Sequence, residues 1–206
     1  MDPIDISGDV ALVAITLLTL NILLGLLMSI KYNPVRRWPH RHVNTVQLHN
    51  WTAYAALAAS FVHPAILLLA SSVHFRVIDL LYPLNGPKQQ WINTLGALAL
   101  YVLVFTVVTS YFRFEIGRRR WKPLHYATYG MFVLYACHAI FTDPTLKDAP
   151  LDPFDAEKVY VELCVLLVVI GAGIRIRWAM RQPPPRVHRP KSPRPSRGRA
   201  TAPLAE

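Results

Sequence analysis

Residues 10–30 read VALVAITLLTLNILLGLLMSI, 21 positions without a charged side chain and with Asn21 as the one strongly polar interruption. As a helix rising ~1.5 Å per residue such a run is ~32 Å long, which matches the ~30 Å hydrocarbon core of a bilayer. In hydrocarbon every backbone N–H and C=O must find its partner within the protein, so the run must be helical. The same pattern recurs at about residues 46–73, 91–112, 123–141 and 159–178, the last carrying Glu162 near its start. The expected fold is therefore an all-α membrane protein, a five-helix transmembrane bundle. A secretory signal peptide does not explain the first run, because Asp2, Asp5 and Asp9 precede it where such a peptide carries positive charge.

Hydrophobic residues make up 53% of the chain and charged residues 17%, against a usual charged share of about a quarter. The formal net charge is nevertheless +10. In a soluble chain that balance suggests nucleic acid, but here the charge is segregated from the apolar runs. Lys31, Arg36, Arg37 and Arg41 follow the first span, Arg113, Arg118, Arg119, Arg120 and Lys122 lie between the third and fourth, and nine more basic residues fall from Arg175 to Arg199. Only Arg76, Lys88, Lys147 and Lys158 lie on the other side. Basic loops stay cytoplasmic, so the N-terminus is expected outside and the C-terminus in the cytoplasm, with +16 inside and −6 outside. Nucleic acid is excluded as a partner, and membrane lipid takes its place. Residues 1–180 then form the transmembrane domain. Residues 181–206 hold seven of the 17 prolines and little apolar bulk, which predicts a disordered, basic, Pro-rich cytoplasmic tail.

Ionisable side chains inside a bilayer are costly and point to function. Cys137 and Cys164 lie within spans but read as small packing residues. Of the eight histidines, His40, His42 and His188 fall in basic cytoplasmic stretches and His74 at the outer end of the second span. The other four fall in or at the edge of two spans: His49 and His63, 14 residues apart, on the second, and His125 and His138, 13 apart, on the fourth. Each pair is separated by ~20 Å along its helix. These two spans run in the same direction, since one span separates them. His49 is thus expected level with His125 near the inner side, and His63 level with His138 near the outer side. Two imidazoles facing one another at each level match the axial ligation of a six-coordinate haem iron. Zinc or copper would need a third or fourth ligand that neither level offers. At ~100° per residue, 13 positions leave the second histidine ~140° from the first. The fourth span is therefore expected to be distorted or to use two sides, with Gly130 able to ease either. Pro64 predicts a kink beside His63.

The segments TVQLHNWTAYAALAASFVHP and RRRWKPLHYATYGMFVLYACHAIF, with this paired spacing, resemble the ferric reductase-like transmembrane domain family across roughly residues 42–178. That family includes ferric-chelate reductases, the membrane part of NADPH oxidases and the haem subunit of a bacterial periplasmic methionine sulfoxide reductase system. The resemblance implies two stacked b-type haems, His49 with His125 at the inner one and His63 with His138 at the outer one, passing electrons across the membrane. The family's usual six helices become five here, and only the Pro-rich tail follows the last span. The expected donor is accordingly a separate flavoprotein reductase or a quinol. The expected acceptor lies outside: a ferric chelate, oxygen or a periplasmic redox protein.

With both axial positions filled by protein, iron has no vacant site, so the expected role is electron transfer in a bacterial inner membrane. Arg36, Arg37, Arg41 and Lys122 inside and Arg76 outside are candidates to balance haem propionates. Tyr129 and Phe132 are candidates to sit between the levels. His74 and the acidic stretch with Asp143, Asp148, Asp152, Asp155 and Glu157 could attract a cationic acceptor, although solvated loop is the simpler reading. Within the electron-transfer reading, a ferric reductase-like role stands beside service to a periplasmic reductase partner. The rival from another class is a haem-free membrane transporter or assembly subunit whose histidines carry protons or metal.

Overall fold

The computed structural model describes residues 2–30, 44–71, 73–143, 152 and 154–182. Asp2 opens the first helix, α1 (Pro3–Ser29), with its carboxylate accepting from Ile4 N at 3.2 Å and with Pro3 in the first turn. An acidic N-cap and an early proline suit a helix start, where backbone N–H groups lack partners. Asn44 does the same for α2 (Thr45–Ile66), its side-chain oxygen taking the N–H groups of Val46 and Gln47 at 3.0 and 3.3 Å.

Pro64 lies inside α2 and the expected kink takes the form of an early stop. Having no N–H of its own, proline breaks the hydrogen-bond ladder one turn back. The helix tightens into a 3-10 turn over Leu67–Leu69, and Ala70 is already extended. Ala70, Ser71 and Val73, which the apolar pattern assigned to the second span, are therefore not helical. A covering segment follows, with the short α3 (Val77–Leu81) and a 3-10 turn at Pro83–Asn85.

Next come α4 (Gln90–Tyr111), α5 (Arg113–Ile116), α6 (Arg118–His125), α7 (Ala127–Phe141) and α8 (Ala156–Met180). Gln89, just before α4, adopts a left-handed backbone (φ 45°, ψ 46°). That is costly for a side chain with a Cβ. The conformation accompanies a clamp, in which its amide donates to Asp143 O at 2.9 Å and accepts from Asp143 N at 3.0 Å. The start of α4 is thereby tied to the end of α7. Gly117, at φ 81°, makes the turn between α5 and α6 that other residues rarely adopt.

The expected span at 123–141 takes in the end of α6 and all of α7, with a break at Tyr126. Pro123 removes a ladder bond, and the backbone tightens to i→i+3 bonds, Tyr126 N to Pro123 O at 3.2 Å and Tyr129 N to Tyr126 O at 3.1 Å. Gly130 has no part in the break and sits inside α7.

No strand occurs among the described residues. There, four helices are long and apolar enough to cross a membrane: α1, α2 with its 3-10 extension, α4 and α8. α1 packs against α2 and α8, and α4 against α7. Ile15 and Leu18 of α1, Ala56 of α2, Ala99 of α4, Met131 and Phe132 of α7 and Cys164 of α8 meet in one core. The opposite faces are apolar and exposed, as with Leu163, Leu167, Ile170 and Ile174 on α8. In water so much exposed apolar surface would drive association, whereas in a bilayer it faces lipid.

Candidate functional site

Two histidine pairs form between α2 and the α6–α7 segment. The rings of His49 and His125 lie with centroids 6.2 Å apart at an interplanar angle of 72°, and those of His63 and His138 lie 6.3 Å apart at 64°. His49 and His63 belong to α2, His125 is the last residue of α6, and His138 is near the end of α7. The break at Tyr126 thus separates the two histidines of the fourth segment into different helices. Each of its i→i+3 steps turns the chain ~120° rather than ~100°. A few such residues recover ~60° of the ~140° that 13 regular α-helical residues lack.

The Nδ1 atom of each ring is engaged by the protein. His49 Nδ1 donates to Asn21 O at 3.1 Å, His63 Nδ1 to Ser7 O at 2.8 Å, and His138 Nδ1 to Ile92 O at 2.9 Å. A carbonyl can only accept, so in these three rings the proton sits on Nδ1 and Nε2 keeps its lone pair. His125 Nδ1 instead meets the hydroxyl of Ser110 at 3.3 Å, and that hydroxyl also accepts from Trp121 Nε1 at 3.3 Å. The Trp121 indole is stacked on the His125 ring at 4.9 Å between centroids.

α1 supplies two of these anchors. Its Asn21 amide donates to His49 O and, at 2.8 Å, to Thr52 Oγ1. Its Ser7 hydroxyl donates to His63 O at 2.8 Å. Around Pro64 the regular ladder fails, since Leu67 N turns to Ala65 and Pro64 carbonyls. The His63 carbonyl is left for Ser7. Neighbouring helices approach through glycines. A Cβ at Gly96 would meet the His138 ring at 3.0 Å, and one at Gly25 would meet His49 at 3.4 Å.

Two neutral imidazoles at such a separation can both bond one metal ion placed between them. Among the described residues no group of three or more His, Cys, Asp or Glu side chains gathers that could hold a metal ion. Each level therefore brings together two imidazoles and no further His, Cys, Asp or Glu among the described residues.

The other expected contacts are distributed differently. Arg41, with Arg36, Arg37, His40 and His42, lies outside the described residues, as do Lys147, Asp148 and His188. Lys122 is exposed on α6. Arg76 is committed to Asp79, through Nε to Oδ2 at 3.1 Å and Nη2 to Oδ1 at 3.0 Å, with its own side chain largely exposed. The guanidinium beside it holds the Asp79 carboxyl below the usual carboxylate range. Phe132 is buried in the core, and Tyr129 is exposed beside Tyr126. His74 is exposed. Cys137 and Cys164 are free thiols. Tyr135 is one aromatic the sequence reading passed over. It is buried, lies edge-on to His138 at 6.5 Å, and donates to Ala11 O at 3.3 Å.

The family model described as "Ferric reductase like transmembrane component" matches residues 10–136, more than half of the chain. No curated protein and no solved structure matches. Domains of this kind generally bind haem, carry out transmembrane electron transfer and work with redox partners.

Proposed function

We propose, from the premise that this chain belongs to the ferric reductase-like transmembrane component family, that it passes electrons across a membrane by way of two b-type haems. His49 and His125 hold the inner haem, and His63 and His138 the outer one. The chain is an integral membrane protein, and we place it in a bacterial inner membrane with its N-terminus outside.

The ring separations carry this reading. Two imidazoles that shared one metal ion, each with a metal–nitrogen distance of ~2.0 Å, would have ring centres about 6 Å apart. The observed values are 6.2 and 6.3 Å. A haem held by these histidines would supply one-electron transfer. The protein's own part is to fix the ligands. Main-chain acceptors at Asn21, Ser7 and Ile92 keep the Nδ1 protons in place and make each Nε2 a better donor. The α1 and α4 backbones close against the rings at Gly25 and Gly96, keeping water away from the ligands.

The α6–α7 segment counts as the fifth span, since α7 alone, with 15 residues, reaches only ~23 Å. The cytoplasmic side holds 18 of the 22 Lys and Arg residues, and the tail at 181–206 lies there. Electrons enter from a flavoprotein or quinol and leave to a ferric chelate, oxygen or a periplasmic redox protein.

Visible spectroscopy of the purified full-length chain tests this directly. The reduced protein should show α-band absorption with two components. One should be lost from His49→Ala and His125→Ala alike, and the other from His63→Ala and His138→Ala alike. A colourless, folded protein from haem-replete cells would sink the proposal and favour a haem-free role for the histidines.

A further inference from the structure

Four basic residues lie on the outer side of the chain by the charge pattern, and three of them have an account in topology or local structure. Arg76 is paired with Asp79, Lys88 belongs to the loop before α4, and Lys147 lies outside the described residues. Lys158 differs. It stands in the first turn of α8 and is only 6% exposed as a residue, yet its ammonium is not among the closed-off polar atoms that lack a partner, so the stem is covered while the charged tip keeps access to its surroundings. A lysine that covers its stem in this way sets its ammonium at the edge of the apolar space it lines.

The pocket that Lys158 lines is also lined by His63, His138, Tyr135, Glu157 and Asp143. Both outer imidazoles and this lysine therefore line one space, whose remaining wall is mostly apolar. A b-type haem is an apolar disc with two carboxylate arms at one edge. With Glu157 and Asp143 already on the wall, further carboxylates can be accepted only against a cation. Arg76 does not line this pocket, and its guanidinium is engaged by Asp79.

We propose that Lys158 is the residue that binds the carboxylates of the outer haem, an assignment that rests on the two-haem reading above. A lysine is a compact cation with three donors, and charge-assisted bonds to carboxylate are the strong class of hydrogen bond. Lys158 then both retains the cofactor and raises the potential of its iron, since a neighbouring positive charge disfavours the more positive oxidised state.

Redox titration of the full-length protein in lipid nanodiscs, read at the α-band, tests the assignment. The outer component is identified as the one missing from His63→Ala. Lys158→Gln should shift the midpoint of that component downward and leave the inner one in place, and Lys158→Arg should restore it. Lys88→Gln, which removes the same charge from the same side, should move neither. As a second readout, transfer of haem to excess apomyoglobin should deplete the outer component of Lys158→Gln faster than that of the wild type. Unchanged midpoints with unchanged haem transfer in Lys158→Gln would overturn the assignment, as would an equal shift in Lys88→Gln. A wild-type protein that binds no haem fails earlier and overturns the two-haem reading itself.

Discussion

Gly96 and Gly130 look alike in the sequence, each a lone glycine in an apolar helix, and the structure gives them opposite meanings. A Cβ on Gly96 would stand 3.0 Å from three atoms of the His138 ring, whereas one on Gly130 would meet nothing within 4 Å. The ring cannot yield without giving up its 2.9 Å bond to Ile92 O. Gly96→Ala should therefore displace His138, at an overpacking cost of about 1–3 kcal/mol. It should remove the outer α-band component while sparing the inner one. Gly130→Ala should keep both components and gain about 0.5–1 kcal/mol from helix propensity. Absorbance per mole of protein and thermal unfolding in detergent check the pair, and the idea fails if the two variants behave alike. Sequence reading favoured Gly130 because it lies between two histidines on one segment. The contact that matters runs between α4 and α7 and leaves no mark in local sequence. The four histidines were legible for the opposite reason, since an imidazole in an apolar run is rare enough to notice unaided. Three of their four Nδ1 partners were not, because the carbonyls of Ser7, Asn21 and Ile92 are main-chain atoms that any residue would offer.

α1 and α2 run as a matched antiparallel pair. Ser7 and Asn21 are 14 residues apart, as are His49 and His63, so each histidine finds one polar side chain of α1 at its own level. Asn21 was visible as the sole strongly polar interruption of its run, and its use follows only once α2 is laid beside it. The α6–α7 segment shows where apolar patterning fails: a continuous greasy stretch conceals a break. Pro123 was the available signal, though a proline near the start of an expected helix reads as ordinary. The break makes His125 the exception among the four, its Nδ1 met by a side-chain hydroxyl on α4 and by no main-chain carbonyl among the described residues. Ser110→Ala should remove the acceptor for the His125 Nδ1 proton, make Nε2 a poorer donor and so destabilise oxidised iron at the inner level. One net hydrogen bond of about 1 kcal/mol corresponds to roughly 40 mV for one electron. The inner midpoint should rise by no more than that, with the outer one unmoved. Trp121→Phe, which keeps a ring stacked on His125 but frees the Ser110 hydroxyl from the indole N–H, should not raise it. A redox titration in which Ser110→Ala leaves the inner midpoint unchanged would show that the hydroxyl does not tune the ligand.

On the scale of the whole molecule, the proposed topology divides the net charge of +10 into a strongly basic inner side and an acidic outer one, with two imidazole pairs between them. The two levels stand ~21 Å apart, 14 residues along α2 at ~1.5 Å each, inside a hydrocarbon slab of ~30 Å. Each pair alone therefore leaves most of the slab uncrossed, and transfer from face to face requires both. The consequence can be measured in sealed vesicles with dithionite trapped inside and a membrane-impermeant ferric chelate outside, in whichever orientation has the basic face inward. Wild-type protein should reduce the external chelate. His49→Ala should fall to the rate of protein-free vesicles even though its outer component is present and is reduced when dithionite is added externally. His63→Ala should fall equally, with its inner component reduced from within and unable to discharge. Intermediate rates in both variants would mean that one pair suffices for passage, and the conduit would have to be redrawn with a single level as its working part.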